Sequence, residues 1–83
     1  MTRDELAEVV RSRVAEVVGV PTAEITETTD LRAEHDVDSL ELMEIGTRLE
    51  QALGTRIDAS NLMDMRNVGH AVDLLHSRLR ERV

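Results

Sequence analysis

Ser39 is the residue in this 83-residue chain whose type and setting could carry a covalent group. It follows Asp38 and precedes Leu40, and an amphipathic run starts at or just before it. A serine at a helix entrance commonly serves as N-cap, its hydroxyl accepting a backbone N–H. The same place suits other chemistry. The first turn of a helix has unpaired N–H groups and the positive end of the macrodipole, so a phosphodiester on Ser39 would be electrostatically favoured there. Nothing near Ser39 in sequence supplies a base for hydrolysis. His35, His70 and His76 lack the His-x-x-x-His spacing of a zinc helix, and no Cys is present to ligate a metal or act as nucleophile. Asp36-x-Asp38 opens like a calcium loop, but Leu40 and Glu41 stand where that loop needs Asp or Asn and then Gly. With no Gly-rich phosphate loop either, the chain is expected to hold no metal and to be no enzyme.

Four helices must position that serine. Thr2 and Glu5 fit a capping box, and Leu6, Val9, Val10, Val14, Val17 and Val18 follow at helical spacing until Gly19 and Pro21. Residues 19–38 show no period. Thr22 is read as capping a short turn, and Ile25, Leu31 and Val37 as plugs that pin an ordered loop to the core. A second long helix begins at or just before Ser39 and ends near Leu53, with Gly54 as its stop. Leu42, Ile45, Leu49 and either Ala52 or Leu53 form its inner stripe, and Gly46 on that side allows close approach by another helix. Leu40 and Met43 fall outside the stripe and are predicted to sit in water among acids. After Ile57, Ser60 is read as capping a short third helix with Leu62, Met63 and Met65, the methionines as core. Asn67 then caps a last helix carrying Val68, Val72, Leu75 and Leu79. The expected architecture is all-α, a four-helix bundle in one domain over residues 1–83.

Charge is unevenly placed. Residues 24–50 hold nine acids and two Arg, hence the whole net charge of −7; outside it eight acids balance eight Arg. The window is read as one acidic face that would steer a basic partner. Arg78, Arg80 and Arg82 complement the end of the last helix. The acidity and the lack of Phe, Tyr and Trp argue against nucleic acid as a partner. The longest apolar run is two residues, too short for a membrane span or a signal peptide, so a cytoplasmic location is expected.

The stretch Asp38-Ser39-Leu40-Glu41-Leu42-Met43-Glu44-Ile45 resembles the Asp-Ser-Leu motif and following helix of the acyl carrier protein family. The likeness extends to Val18-Gly19-Val20, Leu31, Ile57 and Asn67-Val68-Gly69. It implies that Ser39 bears 4′-phosphopantetheine, delivered from coenzyme A by a magnesium-dependent phosphopantetheinyl transferase that Asp38 assists. The arm's thiol would carry acyl groups as thioesters. Leu40, Met43 and Thr47 match the family's apolar docking positions, and Glu41, Glu44 and Glu50 its acidic recognition positions. Those would meet basic surfaces on an acyltransferase, ligase or ketosynthase, with the carrier a monomer. Leu62, Met63 and Met65 border the cleft that can shelter an acyl chain in that family. His35-Asp36 replaces the usual Leu-Gly before the motif. Asp64 is the only acid of the short third helix, and Arg48 interrupts the acidic face. These departures favour a freestanding carrier of polyketide or other specialised-metabolite type. The competing reading is a small acidic helical adaptor, antitoxin or nucleic-acid mimic in which Ser39 is only a cap.

Overall fold

The computed structural model describes residues 1–57, 62–65 and 67–81. Helix α1 (Arg3–Val18) starts at the expected capping box: Thr2 accepts from the Glu5 amide, and Glu5 accepts from the Thr2 amide. Its five valines cost helix propensity of about 0.5 kcal/mol each. Fully burying Leu6, Val10 and Val14 returns about 1.5–3 kcal/mol apiece, so packing holds the helix. The buried face is turned from the expected stripe. Ala7 and Ala15 are inside, while Val9, Val17 and Val18 are half-buried at its edges. Small residues let α1 lie close to its neighbours, which a count of large apolar residues does not register.

Gly19 ends α1 in the left-handed region at φ 85°. The loop that follows is ordered, as expected, but it is not only loop. Thr22–Glu24 form a 3₁₀ turn, although its N-cap position is Pro21 and no side chain caps it. A short helix, α2 (Leu31–His35), then appears where no period was visible. Five residues are too few to show periodicity. The helix exists because the Asp30 carboxylate accepts from the Arg32 and Ala33 amides and Leu31 is buried. Ile25, Leu31 and Val37 are all buried, as plugs should be. Arg11 clamps the loop from α1 by donating to the Ile25 and Thr22 carbonyls.

Helix α3 (Ser39–Leu53) buries Leu42, Ile45, Gly46 and Leu49. Leu53, half-buried against the core, completes the stripe and Ala52 is exposed. A Cβ on Gly46 would lie 2.9 Å from Leu62 Cδ1, so the glycine does admit a close neighbour. Leu62 and Met63 are helical, while Ser60 and its cap lie outside the described residues. The last helix, α4 (Val68–Glu81), buries Val68, Gly69, Ala71, Val72 and Leu75 and is capped by Asn67, whose side chain accepts from the His70 amide. Its other early amides go to the loop: Val68 donates to the Thr29 carbonyl and Gly69 to that of Glu27, at 3.1 and 2.7 Å. Arg78 and Arg80 lie in its last turn, as expected, and Arg82 is outside the described residues. The result is an all-helical bundle without strands among the described residues, and no helix among them is long and apolar enough to cross a membrane.

Candidate functional site

The start of α3 is built so that its serine is spared. Asp36 closes α2 in the left-handed region at φ 52°, the conformation usually given to glycine and one that Asp tolerates. His35 beside it is half-buried, and Val37 is buried, anchoring the chain just before the helix. Asp38, not Ser39, is the N-cap. Its Oδ1 accepts the Glu41 amide at 2.8 Å, and Glu41 Oε1 reaches back to the Asp38 amide at 3.4 Å. Ser39 is therefore the first helical residue. It is exposed, and its hydroxyl has no hydrogen-bond partner among the described residues. The Ser39 and Leu40 amides likewise have no partner there, leaving two donors beside the hydroxyl for an anion. A group attached to this oxygen would displace no hydrogen bond among the described residues.

Leu40 and Met43 stand in solvent, 75% and 56% exposed, as their offset from the inner stripe predicts. The Thr47 hydroxyl donates to the Met43 carbonyl at 3.1 Å and is exposed on the same side. The acidic residues expected to read a partner are more constrained. Glu41 completes the capping box. Glu44 accepts from Arg48 Nε at 2.9 Å. Glu50 is half-buried and holds the Ile57 amide at 2.8 Å, so it organises the loop after α3. These bonds keep the charges but fix their direction.

Leu62, Met63 and Met65 separate. Leu62 is 1% exposed and fills the notch at Gly46, so it is core, while Met65 is half-buried against the core. Met63, read as core, is instead 45% exposed, and its carbonyl accepts from Arg32 of α2 at 3.1 Å. On a single turn, neighbouring residues point about 100° apart, and Leu62 takes the inward place. Met63 thereby joins Leu40 and Met43 as an exposed large apolar side chain.

The acidic window is not one face. Glu27 belongs to it in sequence but is gripped by Arg3, with Nη2–Oε1 at 2.6 Å and Nη1–Oε2 at 3.1 Å. Arg3 also donates to Asp73 at 2.8 Å, tying α1, the long loop and α4 together. The Arg3 hydrogen bonds hold the Glu27 carboxyl below the usual carboxylate range. Glu5 is lowered likewise, by the Thr2 amide it accepts. Spacing along the chain carries no signal for the Arg3–Glu27 pair, because its partners are 24 residues apart. The histidines and carboxylates form no cluster able to hold a metal ion among the described residues.

Residues 8–75 match the protein family described as "Phosphopantetheine attachment site". The chain is 39% identical over 74 residues to "Acyl carrier protein" of Saccharopolyspora erythraea, covering 89% of this chain and 78% of that one. It is 36% identical over 72 residues to "Polyketide-8 synthase acyl carrier protein 2" of Streptomyces avermitilis, covering 87% and 83%. With "Acyl carrier protein" of Petrotoga mobilis the identity is 33% over 79 residues, covering 95% and 93%.

Proposed function

The chain belongs to the phosphopantetheine-attachment family of acyl carrier proteins, and we propose that Ser39 is the residue that bears its prosthetic group. The chain acts as an acyl carrier, and its 4′-phosphopantetheine is covalently bound. The reading of Ser39 rests on one observation: its hydroxyl is exposed and unbonded at the first position of α3 because Asp38 does the capping. A serine needed as a cap would have its oxygen occupied. In loading, Ser39 would give its proton to a base of the phosphopantetheinyl transferase while its Oγ bonds to the pantetheine-bearing phosphorus of coenzyme A, and the pyrophosphate P–O bond would break to release adenosine 3′,5′-bisphosphate. The unpartnered Ser39 and Leu40 amides favour the anion beside them. Asp38 keeps one carboxylate oxygen clear of the cap for the transferase and its magnesium. Once attached, the group supplies the thiol that holds acyl cargo as a thioester.

Acyl carrier proteins work with biosynthetic enzymes. For this one we infer a single carrier domain over residues 1–83, monomeric and without catalytic activity, in the cytoplasm where coenzyme A is available. Transferase, acyltransferase, ligase or ketosynthase would dock through apolar sockets for Leu40 and Met43, near Thr47, with basic groups toward Glu41, while Glu44, paired with Arg48, would take a lesser part. Glu50, engaged with Ile57, would contribute charge from the margin. Asp64 as the only acid of the 62–65 segment and Arg48 in α3 favour a polyketide or other specialised-metabolite pathway. A sheltered acyl chain would have to move Leu62 from Gly46, with Met63 and Met65 at the edge of the opening.

Intact mass after incubation with coenzyme A, magnesium and a broad-specificity phosphopantetheinyl transferase tests the assignment. Wild type should gain one phosphopantetheinyl group and Ser39→Ala none. Modification that persists in Ser39→Ala would refute the assignment, as would wild type that is never loaded.

A further inference from the structure

The outer side of α3 has two electrostatic halves. At the Ser39 end the charges are acids: Asp36 is exposed and in no ion pair among the described residues, and Asp38 and Glu41 have bonds only to backbone amides. Further along, Arg48 reverses the pattern. Its Nε meets Glu44 Oε1 and its Nη1 meets Glu16 Oε2 of α1, each at 2.9 Å, and Arg13 Nη1 meets Glu16 Oε1 at the same distance. Arg13, Glu16, Arg48 and Glu44 thus form an alternating rail from α1 to α3 whose charges cancel. Arg48 remains 38% exposed, and its Nη2 has no partner among the described residues, so it still presents donors to an approaching protein.

The two halves act separately. Nine helical positions from Ser39 to Arg48 span about 13 Å, beyond the Debye length of about 8 Å at physiological salt. Arg48 therefore leaves Asp36, Asp38 and Glu41 uncompensated near Ser39, and beyond it the remaining acid of α3, Glu50, is half-buried and engaged with the Ile57 amide.

We propose that Arg48 is a specificity-determining residue of the docking surface. It confines acidic recognition to the Ser39 end and selects partner enzymes whose cations face Asp36, Asp38 and Glu41. Opposite the second half of α3 such a partner carries a carboxylate for the free Nη2, or no charge. A partner with cations along the whole groove is penalised by like-charge contact at Arg48. The inference rests on Ser39 as the loaded residue and on α3 as the docking helix.

The test measures loading by a phosphopantetheinyl transferase whose docking groove is basic along its whole length, for wild type, Arg48→Glu, Arg48→Gln and Arg48→Lys. At about 0.15 M salt, where the two halves are screened from each other, Arg48→Glu should raise kcat/KM about five-fold through a lower KM, with kcat unchanged. Arg48→Gln should show a smaller rise, and Arg48→Lys should behave as wild type. The gain should vanish at about 0.5 M salt, where the field is screened. Arg48→Gln keeps the test informative if Arg48→Glu folds poorly. Wild-type rates in both, with an unchanged helical circular-dichroism spectrum, would overturn the role of Arg48 alone. Wild type that is not loaded at all would overturn this inference together with the assignment of Ser39.

Discussion

Replacing Asp38 and Ser39 separately with alanine distinguishes a helix cap from an attachment point. Asp38 Oδ1 accepts the Glu41 amide at 2.8 Å, a charge-assisted bond of good length, whereas the return bond from Glu41 is 3.4 Å and contributes little. Losing an N-cap costs about 1 kcal/mol, and losing a carboxylate at the positive end of a helix adds a few tenths. Asp38→Ala should therefore destabilise the domain by about 1–2 kcal/mol. In a domain of this size each kcal/mol lowers Tm by about 4–8 °C. The Ser39 hydroxyl has no partner among the described residues, so Ser39→Ala should change stability by no more than about 0.5 kcal/mol. Thermal unfolding followed at the helical circular-dichroism band reads both, and intact mass reads loading on the same samples. Ser39→Ala should unfold like wild type and accept no group, while Asp38→Ala should unfold earlier yet retain the acceptor oxygen. If Ser39→Ala lost as much stability as Asp38→Ala, the hydroxyl would be capping the helix, and the argument from a spare hydroxyl would fail.

Three further expectations concern the parts that hold the site. A Cβ on Gly69 would lie 3.0 Å from the Glu27 carbonyl oxygen and 3.2 Å from Glu27 Cβ. That neighbour is backbone and cannot swing away, so Gly69→Ala should cost about 1–3 kcal/mol in urea denaturation, and an unchanged midpoint would show that the loop yields. Asp36→Ala places a residue less tolerant of the left-handed region at φ 52° and should lower stability by about 1 kcal/mol, with Asp36→Gly at or above wild type by the same measurement. The Glu27 carboxyl is held below its unfolded value by Arg3, so its contribution is present at neutral pH. It is lost as the pH falls through the depressed folded value. Glu27→Gln should lower Tm at neutral pH and flatten its fall under acid. Parallel Tm-against-pH curves for the two proteins would contradict the clamp.

Much of this was legible one residue at a time. The Thr2–Glu5 box, the stops at Gly19 and Gly54, the Asn67 cap and the outward placing of Leu40 and Met43 follow from local chemistry and a helical period. Where reading failed, the deciding partner was distant or the element too short. The five-residue α2 has no period to detect. Met63 and Leu62 occupy one turn, and which faces inward depends on the notch at Gly46. Glu50 matched an acidic recognition position, yet a loop amide seven residues on turns it partly inward.

Sequence alone determined the class of fold, the position of Ser39 at a helix entrance and the amount of acid around it. These depend on caps, breakers and periodicity, which act within a few residues. Tertiary structure decided how that acid is used. It gave Glu27 to Arg3 at the joint of α1, the loop and α4, and bound Glu44 into the rail that reaches α1. It also left Glu41 at the mouth of α3 beside an unoccupied hydroxyl. A charge is visible in sequence, but its partner is set by which helices pack together, and only the folded chain brings those side chains within hydrogen-bond distance.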